Sequence, residues 1–300
     1  MKFHSREAPA CLSRPNGVAV ELRKSWVHVM YWRNRFFFLS VLASWVLCPP
    51  PSVLSQNELW KRIDDGLFVG EFQSQGITLV KVALTAYSYT LLSASENNSV
   101  RMTAKRWCQT HNLISTTNAG MFLPDGVTNV GYMKNFNHVN SPRLGTNYNA
   151  VLAFNRVDTT VPDVQIIDLK CQDFGRLKDK YQTFIQGMRM VSCRQENVWE
   201  KQERMWSIAS FGMDKSGNGL FIFGETPYSV HEFTQLLLSL PISLYNAMYL
   251  EGGPEATLYF SAGGVEFEKV GKHQTGLSEN GFQRTARPLP NVIGIGKKIR

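Results

Sequence analysis

The pattern of apolar and polar positions predicts a chain built mainly of short strands with a few helices. In Thr78-Leu79-Val80-Lys81-Val82-Ala83-Leu84 the apolar side chains alternate, as in a strand with one covered face. Similar runs fall at Leu67–Phe72, Ile77–Leu84 and Tyr87–Ser93. Two more, Ser207–Met213 and Leu220–Phe223, flank Asp214-Lys-Ser-Gly-Asn218 and read as a hairpin. Ser229-Val-His-Glu232 has the form of a capping box, opening a helix through Leu240 that Pro241 stops. Leu236, Leu237, Leu238 and Leu240 of that helix would bury against a sheet. Ser99 is the candidate cap of another helix through about His111, with Val100, Ala104, Trp107 and Cys108 on one face. No internal repeat or low-complexity tract interrupts the pattern. The expected fold is α+β: one domain with a mixed or antiparallel β core and a few packing helices.

Composition changes the picture at the N-terminus. The net charge of +8 over 300 residues is concentrated there. Residues 1–55 carry seven Lys/Arg against Glu7 and Glu21, and removing them leaves 25 basic and 22 acidic residues. Without a basic patch in the remainder, the charge does not point to nucleic acid. Within the leader, Arg33 and Arg35 precede the apolar or small run from Phe36 to Cys48. That run is too short for a comfortable membrane span, and Val53-Leu54-Ser55 offers small residues for cleavage. The expectation is an exported protein, secreted or periplasmic, with a leader over 1–55 and the functional domain over 56–300. Met30 would start a signal of ordinary length; no stable membrane span is expected after its removal, and an uncleaved anchor is the alternative.

Cys108, Cys171 and Cys193 remain beyond the leader, without metal-ligand spacing. A Cys171–Cys193 disulfide and unpaired buried thiols both stay open. His231 and Glu232 lack the spacing of a zinc helix, and Asp214 to Asn218 reads as a plain turn rather than a calcium loop. The chain has neither a phosphate loop nor a dinucleotide fingerprint. No metal or cofactor is expected.

Two stretches carry the candidate chemistry. In Ile114-Ser-Thr-Thr-Asn118-Ala-Gly120-Met-Phe122 a short strand feeds an asparagine, a glycine and an aromatic. In Tyr249-Leu-Glu251-Gly252-Gly253-Pro-Glu255 an apolar run stops at an acid, and two glycines and a second acid follow. Glycines let a ligand approach the main chain, and strand ends place binding groups on a rigid frame.

Together the stretches resemble the signatures of the phosphodiester glycosidase family, the "uncovering enzyme"-like domain whose bacterial members are often exopolysaccharide-associated. Asn129-Val-Gly-Tyr132, Ile185-Gln-Gly-Met-Arg189, Trp206 to Asp214 and Pro290-Asn-Val-Ile-Gly294 extend the resemblance over most of the chain after the leader. The well-studied branch has an aspartate, glycines and a serine where this chain has Glu251-Gly-Gly-Pro-Glu255. It also has an arginine where this chain has Trp206-Ser-Ile-Ala; Arg189 or Arg204 would take its place.

The resemblance implies hydrolysis of a sugar-1-phosphodiester, with a carbohydrate or sugar-phosphate as substrate. The leaving phosphate has a last pKa of about 6, so little general acid is needed. A base or nucleophile at the anomeric carbon and donors for the phosphate remain to be supplied. Glu251 is the candidate base or nucleophile, ionised beside an arginine. Arg189 is the candidate phosphate clamp, with an ion pair to an acid such as Asp214 as its structural alternative. Asn118 completes the catalytic set. Gly120, Phe122, Asp214, Gly252, Gly253 and Glu255 are the candidate substrate-binding residues. Two other readings stay open: a conventional glycosidase using Glu251 and Glu255, and a non-catalytic carbohydrate-binding module in polysaccharide export.

Overall fold

Alternating apolar positions become strands that bury one face between two sheets. The computed structural model describes residues 59–272 and 285–298. These fall within one compact unit, Ser52–Arg300. The leader, with its expected signal and cleavage site, lies outside the described residues.

The strands are β1 (Trp60–Asp64), β2 (Leu67–Phe72), β3 (Ile77–Val82), β4 (Tyr87–Ser93), β5 (Ser115–Asn118), β6 (Met133–Asn135), β7 (His138–Ser141) and β8 (Ala150–Arg156). They continue as β9 (Val164–Asp168), β10 (Tyr181–Val191), β11 (Trp206–Asp214), β12 (Gly219–Tyr228), β13 (Leu244–Gly252), β14 (Thr257–Ala262), β15 (Val265–Val270) and β16 (Asn291–Lys297). The larger sheet runs β1-β2-β3-β12-β11-β13-β10-β6-β7, with β8 joined to β10 and β9. The smaller sheet runs β15-β14-β5-β16-β4.

The ladders between these strands are antiparallel. Strand accounts for 48% of the described residues and helix for 15%, so the expected antiparallel β core forms in a single domain and the α+β label fits it only loosely. The sheets pack face to face: Val80, Phe211, Phe221 and Met248 of the larger share one core with Leu91, Leu258, Phe260 and Ile293 of the smaller.

Each sheet has a helix on its outer face. Val230–Ser239 covers the larger sheet, and its capping box forms as expected, with Ser229 Oγ accepting from Glu232 N. Leu237 is buried, whereas Leu236, Leu238 and Leu240 pack only partly buried. Ala104–Thr110 covers the smaller sheet through Trp107. Its N-cap is Thr103 rather than Ser99. Ser99 sits at φ +60 in a turn closed by Val100 N to Asn97 O at 2.9 Å, which leaves Val100 exposed instead of on the helix. Cys171 and Cys193 form a disulfide, and Cys108 is free and buried. No helix among the described residues is long and apolar enough to cross a membrane.

Candidate active site

β13 carries the first acid, and a slip in its register aims it. Ala209 stands opposite Glu251 and Ser210 opposite Tyr249, so Leu250 is the extra residue of a β-bulge. Side chains directly opposed across a ladder share a face, and Ala209 belongs to the core between the sheets. Regular alternation after Met248 would have sent Glu251 outward; the bulge turns it toward the inter-sheet side. There it is partly buried, and its Oε1 accepts one hydrogen bond, from Gly252 N at 3.0 Å. Burial pushes its carboxyl up to about 8. The Gly252 N–H works against the rise and the charge of Glu255 adds to it. The expected ionised carboxylate beside an arginine is therefore corrected: at neutral pH Glu251 holds its proton.

The loop after Glu251 is held tightly. A Cβ on Gly252 would overlap the Tyr249 hydroxyl and the Trp206 indole, which are joined by a 3.0 Å hydrogen bond from Nε1 to Oη. Gly253 adopts φ +66, and Ala256 N closes the turn on Gly253 O at 3.1 Å. Glu255, the second acid, forms an ion pair with Arg287 through Oε1 and Nη1.

Asn118 ends β5 and binds this same loop. Its Nδ2 donates to the Glu255 carbonyl at 2.9 Å, and its Oδ1 accepts from Thr257 N at 2.8 Å. Each end of the amide holds the backbone, so Asn118 positions the acid-bearing loop. Two residues on, Gly120 sits at φ +102, where a Cβ would lie 2.7 Å from Asn129 Oδ1. Met121 packs against the apolar cluster that holds Tyr249, as do Trp199 and Trp206, and the partly buried Phe122 bridges to Asn129. The two stretches singled out in the sequence thus meet across the sheets.

Two expected site residues are engaged elsewhere. Arg189 pairs with Asp168, not Asp214: its Nη1 lies 2.8 and 2.9 Å from the two carboxylate oxygens. Asp168 is only 2% exposed, and a charge buried so deeply requires a counter-charge. Cys193 N and Lys170 N also donate to Asp168, at 3.0 Å each, which makes this cluster a brace for the disulfide. Asp214 stands opposite Leu244, five residues along β11 from the Ala209–Glu251 pair, so about 17 Å separates them along the ladder. Its carboxylate accepts from Ser216 N (2.9 Å), Asn218 N (2.8 Å) and Asn218 Nδ2 (2.8 Å). These are the bonds of a turn residue. Arg204, the other candidate clamp, is exposed in the loop before β11.

Cavity size does not pick out the acids. A 790 Å³ surface hollow is lined by Lys201, Glu203, His231 and Glu232 beside the outer helix, and one of 630 Å³ lies around Asp214 and Asn246. Neither includes Glu251. The paired carboxyls on a fixed loop are the stronger mark, since open surface hollows form wherever loops meet. Asp168, Cys171 and Cys193 lie close enough to share a metal, but the two sulfurs are bonded to each other and supply no thiolate.

Several contributors were missed in the sequence. Gln186 has no exposed surface; its Oε1 accepts from Tyr132 N and Gly145 N, and its Nε2 donates to Gly145 O and Tyr148 O. It pins the loops next to Gly120. Asp168 had no motif around it. Arg287 did carry a signal, standing three residues before the closing Pro290-Asn-Val-Ile-Gly294.

Two acids four residues apart, one protonated and one ion-paired, on a loop clamped between antiparallel sheets, define a candidate hydrolase site. The model of the phosphodiester glycosidase family matches residues 111–296, more than half of the chain, and the chain belongs to that family. Among solved structures, the catalytic domain of zebrafish N-acetylglucosamine-1-phosphodiester alpha-N-acetylglucosaminidase, auto-inhibited by its pro-peptide, is similar over 80% of this chain and 82% of its own, with 15% identity and a TM-score of 0.53. A hypothetical protein from Synechocystis is similar over 79% of this chain and 60% of its own, with 14% identity and a TM-score of 0.50. At such identities the likeness concerns the fold. No curated protein matches the chain.

Proposed function

We propose that the protein is an exported hydrolase that cleaves the glycosidic bond of sugar-1-phosphodiesters in cell-surface or extracellular polysaccharide. The observation that carries this reading is the division of labour between the two acids. Glu251 keeps a proton at neutral pH, with its carboxyl at about 8, while Glu255 carries an ion pair. A carboxyl that keeps its proton can donate, and an ion-paired carboxylate on the same loop can accept a proton. The base role expected of Glu251 thus passes to Glu255, expected as a substrate-binding residue, and Glu251 becomes the donor.

In the proposed reaction, water attacks the anomeric carbon as the bond from that carbon to the phosphate oxygen breaks. The bonding pair leaves with the phosphate, and the water's proton passes to Glu255. The departing monoester has a last pKa of about 6, so a hydrogen bond from Glu251 is enough to steady it and full proton transfer is not required. Glu255 then returns its proton to solvent. The family supports the bond cleaved, and the name of the zebrafish neighbour describes the same type of linkage. The Cys171–Cys193 disulfide and the basic, apolar leader support export.

The test is a release assay of the purified protein on sugar-1-phosphodiesters and on neutral glycosides. Turnover of the phosphodiester is expected. Turnover of neutral glycosides alone would make it a conventional two-carboxylate glycosidase. Saturable binding without release would make it a carbohydrate-binding module.

A further inference from the structure

We infer that Arg287 is the phosphate-recognising residue of this site, and that an incoming phosphodiester displaces Glu255 from it and so frees the catalytic base. The inference rests on the reading of the site as a phosphodiester hydrolase. Three observations lead to it. Arg189, the clamp expected from sequence, is committed to the buried Asp168. Arg287 is instead paired with one of the two acids, and its side chain remains 54% exposed where that of Glu255 is 28% exposed. The backbone that presents it is fixed: two residues on, Leu289 N donates to Met102 O at 2.8 Å, and Leu289 O accepts from Trp107 Nε1 at 3.0 Å.

The chemistry of the pair favours exchange. A guanidinium has five N–H donors in a planar fork, and the contact with Glu255 engages Nη1. A phosphodiester offers two non-bridging oxygens, which such a fork binds in parallel. An exposed ion pair contributes little, so an anion that makes two such bonds can replace the carboxylate. Once released, Glu255 no longer spends its Oε1 on Arg287 and is free to accept from the attacking water. Its charge also favours retention of the proton on Glu251. A neutral glycoside has no group to take Arg287, so Glu255 stays paired and the base stays muted. Selectivity for anionic substrates then comes from release of the base as well as from binding.

The experiment titrates inorganic phosphate calorimetrically into the purified protein and into Arg287→Gln, Arg287→Lys and Glu255→Gln, with a thermal melt of each. It also compares kcat/KM on a sugar-1-phosphodiester and on a neutral aryl glycoside. Arg287→Gln is expected to lose phosphate binding and at least ~10-fold in kcat/KM on the phosphodiester. Arg287→Lys should recover part of both. Glu255→Gln should bind phosphate roughly 2- to 5-fold more tightly, because the competing carboxylate is gone. A purely structural Arg287–Glu255 pair would show no such tightening, and its absence overturns the exchange. If the wild type hydrolyses the phosphodiester and Arg287→Gln matches it, this inference fails while the functional reading stands. If the wild type hydrolyses none, the functional reading fails, and loss or retention of phosphate binding in Arg287→Gln still decides whether Arg287 is the anion site.

Discussion

Asp214 and Glu251 occupy opposite ends of one pair of strands, each at a turn containing glycine, and their carboxyls meet opposite fates. Asp214 receives three N–H donors from its own turn, from Ser216 and twice from Asn218. Glu251 receives one, from Gly252. The first turn is a tight hairpin whose amides converge on the acid at its start. The second is a crossover between sheets in which Thr257 N goes to Asn118 and Gly252 N alone reaches Glu251. An acid supplied with donors holds a turn in place. An acid starved of them keeps its proton and is left to react.

The sharpest way to break this contrast is to neutralise each acid in turn. Glu251→Leu removes the hydrogen-bond donor that steadies the departing phosphate, and turnover should fall at least ~10-fold. Asp214→Asn should leave turnover within a few-fold of wild type. Equal losses in the two variants on a phosphodiester release assay would end the distinction.

The pH dependence of stability comes next. The carboxyl of Glu251 lies at about 8 in the fold against 4.5 in an open chain, so the folded state holds a proton that the unfolded state gives up. Its contribution therefore turns against folding as pH rises through that window, and the penalty is complete above about 8. Denaturant unfolding should show Glu251→Gln gaining on wild type by roughly 2–4 kcal/mol between pH 5 and pH 8.5. An unchanging difference across that range would mean that Glu251 titrates normally. The activity of the wild type should decline above about pH 8, as the donor loses its proton.

The smallest effect expected is structural. Asp214→Ala removes three hydrogen bonds from a turn far from the acids, and should cost roughly 1–3 kcal/mol in unfolding free energy. Because the turn lies about 17 Å along the ladder from Glu251, kcat should stay unchanged. A marked loss of kcat in this variant would join the two ends into one site.

What was legible in the sequence was what depends on near neighbours. Alternation located β2, β3, β4, β11 and β12, and the turn residues after Asp214 located its hairpin. Ser229 and Glu232 announced a capping box that the fold makes in full. The Asn118 and Glu251 stretches stood out because a glycine beside a polar strand end is a local signal. Ser99 misled for the same reason: it looks like a helix cap in isolation, but Met102 is drawn into a bridge with Leu289, and the helix starts only after Thr103.

By itself, then, the sequence determined the strand-rich character of this protein, its family signatures and the identity of the two acids on one short loop. Only the tertiary structure decided which way Glu251 faces, since that turns on a one-residue slip against β11 with no mark in the local pattern. It alone chose partners for the charges, giving Asp168 to Arg189 and Glu255 to Arg287 across 21 and 32 residues of chain. Hydrophobic periodicity reports which face of a strand leaves water, a property of a few adjacent residues. Proton affinity and charge pairing depend on what the rest of the chain brings within a few ångströms, and that is settled only when the sheets close on each other.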